Sequence, residues 1–220
     1  MSIKIGVYDF FSHIIPGSVY LFIFTYLGTY LGFFHVDINT FNSLTIYSIV
    51  VLAFLAYIIG LIFDRFARLI SHLFRSNNLA KMVLDDFRNR YPNIDFKIAP
   101  RERSVLLAFI QQHNSAAADE IDTHNAIHIM LRNIGFSLMI LSLVETYIFI
   151  QSHFLIWHLV ICLVCIISSL LIEREGAKRK RWYYSSMYET LIASTLQLDD
   201  ILVSKRKKTE ADLQDKSKDI

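Results

Sequence analysis

Long apolar runs alternate with charged segments along the chain, and four of the runs are long enough to cross a membrane. The hydrocarbon core of a bilayer is about 30 Å thick, so a spanning helix needs roughly 20 mainly apolar residues. The third run contains one acid, Glu145, and the fourth contains one histidine, His158. The pattern predicts an all-α, polytopic membrane protein with four transmembrane helices and helical extensions outside the bilayer. The four runs are residues 14–34, 44–63, 134–150 and 154–172.

The 22 Lys and Arg residues are confined to three segments of the chain. They lie before the first apolar run, between the second and third runs, and after the fourth run. Neither short loop, residues 35–43 or 151–153, contains any of them. Lys and Arg are enriched in cytoplasmic loops of membrane proteins. We therefore predict a multi-pass protein with both termini in the cytoplasm, an arrangement that suits the inner (plasma) membrane of a bacterium.

The connections between the runs indicate how the chain is organised. Pro16 should end a short interfacial helix and bend the chain into the first span. Asn114 or Ser115 can cap a helix that meets no Gly or Pro before the third span, so we expect that helix to continue to Ile150. The predicted parts are 1–63 (interfacial helix and first transmembrane hairpin), 64–133 (cytoplasmic helical segment), 134–172 (second transmembrane hairpin), 173–203 (cytoplasmic helix) and 204–220 (flexible charged tail).

The composition and charge balance agree with a membrane protein. Hydrophobic residues make up 54% of the chain and its mean hydropathy is +0.39, whereas soluble domains have about 45–50% apolar residues. The net charge of +2 and the mixed charges of the central segment argue against direct nucleic-acid binding. A basic group directly after the fourth span is interpreted as a contact with anionic lipid. It consists of Lys178, Arg179, Lys180 and Arg181.

A repeat of about 3.5 residues runs along the helix that follows the fourth span. Its apolar or semi-apolar positions follow one another at alternating steps of four and three residues, as in helices that wrap around each other. The repeat predicts self-association, docking on a partner or docking on the central segment. A surface helix with an accidental pattern is the alternative. The repeat consists of Tyr184, Tyr188, Leu191, Thr195, Leu198 and Leu202, of which the tyrosines and leucines are the predicted docking residues.

Polar groups inside the apolar runs are candidate sites. A carboxylate in a span is unfavourable unless it is paired, protonated or close to water. Glu145 and His158 lie at similar distances on either side of the tight loop 151–153, so they should reach similar depth on neighbouring helices. Such a pair is either a structural contact or part of a sensor or a water-lined pore. Cys162 and Cys165 have the spacing of a redox motif, but thiols buried in lipid are hard to ionise, which favours a packing role.

The sequence contains no convincing catalytic or metal-binding constellation. His124 and His128 share a helix face, but no Cys or acid at a suitable spacing completes a tetrahedral metal site. Arg65 and His72 have the spacing of a ribonuclease motif that also arises readily by chance. Phosphate-binding glycine loops and nucleophile elbows are not found. We predict no catalytic residue, no metal and no cofactor.

Three short motifs resemble those of a known group of proteins. They are residues 9–17 (DFFSHIIPG), 56–60 (AYIIG) and 131–133 (LRN). Together with the layout, they are similar to small four-span bacterial inner-membrane proteins of anti-phage defence loci, such as the KwaA-like membrane subunits of Kiwa systems. The resemblance implies an oligomeric membrane sensor that engages a cytoplasmic effector during infection. The motifs hold no catalytic residue, so the resemblance assigns no role to any side chain.

These features predict a non-enzymatic membrane sensor or scaffold that recruits or regulates a cytoplasmic effector protein in antiviral defence. The protein is expected to contact membrane lipids and to form a homo-oligomer, for which we predict four copies. The alternative is a pore or channel that depolarises the membrane when triggered. Glu145 and His158 would then line or gate the pore.

Overall fold

The described part of the chain is entirely helical. The computed structural model describes residues 7–33, 35, 45–74, 79–91, 103–152 and 155–216, without the side chains of 7–9, 72–74, 103 and 194–216. Its regular elements are all α-helices, as the hydropathy pattern predicts. They are α1 (Val7–Tyr30), α2 (Ile46–Phe74), α3 (Leu79–Arg90), α4 (Arg103–His113), α5 (Ser115–Gln151) and α6 (Ile156–Lys216).

Four of these helices, α1, α2, α5 and α6, are long and apolar enough to cross a membrane. Many of their large apolar side chains point away from the rest of the chain, and Tyr47 on α2 is 80% exposed. An apolar surface of this extent is unusual in a soluble monomer, whereas lipid tails solvate it. The prediction of a polytopic, all-α membrane protein is confirmed at this level.

Helix α1 runs without interruption through Pro16, so the expected end of a separate interfacial helix at this residue is wrong. Proline inside a helix removes one hydrogen bond and destabilises it by about 3 kcal/mol. Pro16 and Gly17 are buried, and packing of this turn against α2 offsets that loss. The helix ends instead at Tyr30. Gly32, whose φ is 76°, lies just beyond this end, where Gly32 N–H donates to Thr29 O and Phe33 N–H donates to Gly28 O. This is the double hydrogen bond of a Schellman cap.

Helices α5 and α6 are longer than the apolar runs within them. Asn114 caps α5 through a 3.1 Å hydrogen bond from the amide of Ala117, and the helix continues to Gln151 as predicted. Helix α6 continues to Lys216, so residues 204–216 are helical where the composition predicted a flexible tail. The physical reason is that Gly176 is the last Gly or Pro of the chain, so no breaker interrupts the helix beyond it.

The chain divides into two compact units. The first unit contains residues 1–77 and 123–180, and the second contains residues 78–122 and 181–220. Helices α5 and α6 each contribute to both units, so the unit boundaries fall within helices and differ from the predicted ones at 63/64, 133/134, 172/173 and 203/204.

The core of the second unit is formed by α3, α4, the first turns of α5 and the part of α6 after Arg181. Tyr184, Met187, Tyr188, Leu191 and Ile192 form one stripe of α6, because residues three and four apart share a helix face. Their partners are Val83, Leu84 and Phe87 of α3, Leu106 and Ile110 of α4, and Ala118 and Ile121 of α5.

Candidate functional site

Helices α1 and α2 cross at a distance that only small residues permit. A Cβ atom placed on Gly17 would overlap the backbone carbonyl of Ala56, and one placed on Gly60 would overlap the backbone carbonyl of His13. Ala56 and Gly60 are four residues apart on the same face of α2, which is the small-xxx-small arrangement that lets transmembrane helices pack closely. The crossing fixes which faces of α1 and α2 point towards the other helices of the first unit.

Tyr20 on α1, about one turn after Gly17, connects this crossing to α5. Its side chain is fully buried, its ring stacks on Phe63 of α2 with a centroid distance of 4.4 Å, and its hydroxyl donates a 3.0 Å hydrogen bond to the backbone carbonyl of Asn133. One side chain therefore contacts both α2 and α5.

Asp64, about one turn after Gly60 on α2, is the centre of a buried ionic network. Its carboxylate accepts hydrogen bonds from Arg132 at 2.5 Å, from Asn133 Nδ2 at 3.0 Å and from Arg68 at 2.8 Å. The side chains of Asp64 and Arg132 are only 7% and 9% exposed. Buried charges are strongly unfavourable unless they are paired and hydrogen-bonded, and these two neutralise each other between α2 and α5.

The network keeps some unused hydrogen-bonding capacity. Within the described part of the chain, Nε of Arg132 and Oδ1 of Asn133 have no hydrogen-bond partner although both atoms are buried. Buried polar atoms in native proteins are almost always satisfied by protein or ordered water.

The network was missed by the sequence reasoning, which counted Arg132 among the topology signals and treated Asp64 as the first residue of the central segment. Asp64 and Arg132 are 68 residues apart, so no local spacing relates them. One signal was available in the sequence: Asp64 is the first charge after the second apolar run, and Arg132 is the last charge before the third. The three motifs that carried the resemblance, residues 9–17, 56–60 and 131–133, contribute the helix crossing and two members of the network.

Glu145 and His158 are brought together, as the short loop between their helices predicted. Nδ1 of His158 donates to Oε2 of Glu145 at 2.7 Å. The side chain of His158 is 22% exposed and that of Glu145 is 4% exposed. Tyr26 of α1 also interacts with the Glu145 carboxylate and packs beside the apolar cluster of Ile23, Val144 and Ile148. The pair therefore ties α5 to α6, with α1 alongside, while a sensing or conducting role stays a prediction.

The two cysteines occupy buried positions on α6 as free thiols. Cys162 Sγ lies 3.2 Å from the hydroxyl of Thr146 on α5. Cys165 is likewise buried. Their positions agree with a packing role between α5 and α6.

The heptad-like residues of α6 are used within the chain itself. Tyr184, Tyr188 and Leu191 are buried in the core of the second unit, so the repeat docks on the central segment, and these three side chains are not accessible to another protein in this fold. A helix that meets its partners within its own chain shows the same 3.5-residue spacing as one that meets a second copy. The side chains of Leu198 and Leu202 lie outside the described residues.

The basic group after the fourth span is largely engaged in ion pairs. Lys178 Nζ and Arg179 Nε lie 3.1 and 3.6 Å from the carboxylate of Glu175, and Arg181 lies 2.9 Å from Asp86 of the second unit. These pairs are solvent-accessible and each contributes at most about 1 kcal/mol. Contact of 178–181 with anionic lipid stays a prediction.

The polar groups of the first unit connect helices to each other. Tyr20 joins α1 to α5, Asp64 joins α2 to α5, and His128 joins α5 to α6 by donating from Nδ1 to the carbonyl of Gly176 at 2.9 Å. These polar groups hold the helices in position relative to one another.

Comparison of the chain with protein-family models, with curated proteins and with solved structures finds no match.

Proposed function

We propose that this protein is a non-enzymatic, oligomeric sensor or scaffold of the bacterial inner membrane that recruits or regulates a cytoplasmic effector protein, in antiviral defence. The observation that carries the proposal is that α5 and α6 each continue without a break from the first, apolar unit into the second unit. The second unit is then the part of the protein that faces the cytoplasm and the partner.

The continuity of α5 provides a route for a signal. Arg132 and Asn133 are in the buried network of the first unit, and about three turns earlier on the same helix Ile121 is in the core of the second unit. An α-helix is held by consecutive backbone hydrogen bonds and transmits a shift or rotation along its axis. Helix α5 is therefore the element along which a change in the spans would reach the second unit.

The polar chemistry supports a scaffold over an enzyme. Asp64, Arg132 and Glu145 are all buried, and each is paired with a group on another helix. Making or breaking such a buried pair would favour one arrangement of the helices over another, and a two-state sensor requires an equilibrium of this kind. A membrane sensor also needs little surface outside the bilayer, and the predicted outer loops are short.

Co-purification tests partner recruitment. The affinity-tagged protein is extracted from cells in mild detergent, and proteins that elute with it are identified for the full chain and for a chain that stops after Ser204. We expect the truncated chain to lose a soluble partner. The truncation point spares the core of the second unit, whose α6 members end at Ile192, whereas removal of residue 182 onwards would destroy that core. An unchanged set of co-eluting proteins would refute recruitment through the last turns of α6.

A pore lined by Glu145 and His158 is the competing proposal. Glu145 is 3% exposed and contacts α6 within a single chain, so a conducting role would require the pair to separate. Currents across planar bilayers distinguish the two proposals. We expect no current from the purified protein. A current that disappears in the variant Glu145→Gln with His158→Ala would support the pore and contradict the scaffold.

A further inference from the structure

A cavity of about 560 Å³ lies between α2, α5 and α6 within the first unit. Its volume is within the range of about 300–1,000 Å³ that is typical of small-molecule sites. Most of its wall is apolar, and its polar side chains are Ser71, Ser169, Glu173 and Arg174. The lining includes Ser71 of α2, Phe136 and Met139 of α5, and Leu170 and Arg174 of α6.

The cavity exists because small residues line it on all three helices. Gly135 contributes no side chain, and Ala67 and Ala177 contribute only a methyl group. A Cβ atom on Gly135 would lie 3.3 Å from Cγ of Glu173, so α6 approaches α5 closely at this turn. Ser169 reinforces the approach by donating a 2.7 Å hydrogen bond to the carbonyl of Gly135. The cavity is therefore a built feature of the helix packing.

The lining is divided into an apolar part and a cationic rim. Phe136, Met139 and Leu170 lie within the third and fourth apolar runs, whereas Ser71 lies about two turns beyond the second run on α2 and Arg174 lies two residues beyond the fourth run. In the described structure, the guanidinium of Arg174 takes part in no ion pair or hydrogen bond. The neighbouring Lys178 and Arg179 both pair with Glu175.

The other polar groups of the rim are compatible with an anion at Arg174. The hydroxyl of Ser71 donates no hydrogen bond to any described residue and is free to donate to an oxygen. Among the described residues, Glu173 is the one acid that lines the cavity, and it interacts within the chain. Arginine binds phosphate oxygens more strongly than a neutral donor does, because the hydrogen bond is charge-assisted.

We propose that this cavity binds one anionic phospholipid, with an acyl chain against Phe136, Met139 and Leu170 and the phosphate at Arg174. The bilayer supplies such a molecule at high local concentration. The acyl chain is already in apolar surroundings in the bilayer, so the cavity wall contributes close van der Waals contact, and selectivity for an anionic lipid comes from the guanidinium, which gains an anion. The site differs from the basic group 178–181, which is already engaged in ion pairs. It does not depend on recruitment of a cytoplasmic partner.

Native mass spectrometry of the full chain in detergent tests the site. The delipidated protein is titrated with phosphatidylglycerol, or with phosphatidylcholine of the same acyl chains, and the lipid-bound fraction is measured. We expect one tightly retained phosphatidylglycerol per chain. Arg174→Gln should weaken its binding about fivefold, the effect of one cation near a lipid surface, whereas the matched charge control Lys178→Gln should leave binding unchanged.

A second pair of variants tests the apolar part. Met139→Trp fills the cavity and should reduce binding of phosphatidylglycerol, whereas Leu143→Trp, an exposed position about one turn away on α5, should not. Equal effects of Arg174→Gln and Lys178→Gln, or equal retention of both lipids by the unsubstituted protein, would overturn the proposal. Arg174 is exposed, so its substitution leaves the fold intact and keeps the test decisive even where Met139→Trp does not fold.

Discussion

Asp64 shows how a single residue can connect two helices. Its carboxylate sits at the end of a long apolar run, where it is held by Arg132 and Asn133 of α5 and by Arg68 of its own helix. The two ion pairs of Asp64 differ in environment, since the side chain of Arg68 is 66% exposed and that of Arg132 is 9% exposed. Water screens the first pair, so the second dominates the energetics.

Substitution of Asp64 by Asn should therefore destabilise the protein strongly. The guanidinium of Arg132 would remain buried without a counter-ion, at a cost of about 3–5 kcal/mol. Arg68→Gln, which removes the exposed partner, should change the free energy of unfolding by about 1 kcal/mol or less. Thermal unfolding of the detergent-solubilised variants measures both. Similar midpoints for Asp64→Asn and Arg68→Gln would contradict the importance of the buried pair, and Arg132→Gln in the Asp64→Asn background should recover part of the loss.

The crossing of α1 and α2 depends on glycines within the two helices. Helical propensity alone would not place glycines in the middle of spans, because Gly is less favourable than Ala by about 1 kcal/mol in a helix. Gly17 and Gly60 are needed where the backbones of two helices touch. The resulting contact also sets the direction of Tyr20 and of Asp64, each about one turn further along its helix.

Gly17→Ala is expected to separate the two helices. The new methyl group would overlap the backbone of Ala56, which cannot move out of the way as a side chain could. Gly176→Ala is a matched control, because its methyl group would meet Leu131 Cβ at an ordinary 3.5 Å and helix propensity favours alanine. We expect a lower unfolding temperature for Gly17→Ala and an unchanged or higher one for Gly176→Ala. Equal stability of the two variants would show that the crossing does not require glycine.

Helix α6 is one element with two kinds of surface. Its first part exposes apolar side chains such as Trp157 and Leu170, and its later part buries Tyr188 and Met187 completely. The change occurs within an unbroken helix, after Gly176. It reflects a change of surroundings from lipid to the protein core of the second unit.

Tyr188→Ala should unfold the second unit locally. Loss of a fully buried aromatic ring destabilises a core by about 3–5 kcal/mol, and Tyr188 lies 5.7 Å from the ring of Phe87 of α3. Trp182→Ala removes a half-exposed ring from the same helix and should change stability by about 1 kcal/mol or less. Hydrogen–deuterium exchange of residues 79–91 and 103–113 reports on the unit. The same exchange rates in both variants would contradict the described core.

The distribution of Lys and Arg along the chain predicts how the whole molecule is oriented in the membrane. All 22 Lys and Arg residues lie in the three segments that flank the two hairpins, and the four helices that can cross a membrane bring those segments to one side if each crosses once. This arrangement predicts that the second unit and both termini share the cytoplasmic side.

Reporter fusions test this topology. A green fluorescent protein fused after Ile220 should fluoresce, because it folds in the cytoplasm, and alkaline phosphatase fused after His35 should be active, because it folds only outside. Exchange of the two reporters provides the control and should abolish both signals. Phosphatase activity at the C-terminus would overturn the predicted orientation without affecting the number of spans.

The sequence by itself determined the helical class, the four spans and the length of α5, because hydropathy, helical period and the absence of breakers are local properties. It also placed Glu145 near His158, since the short loop 151–153 restricts how two neighbouring helices can pair. Only the tertiary structure decided that Asp64 meets Arg132, that Gly17 touches Ala56 and that Tyr184 and Tyr188 face the chain's own core. These contacts depend on which helix faces meet across long separations, and no residue spacing encodes that choice.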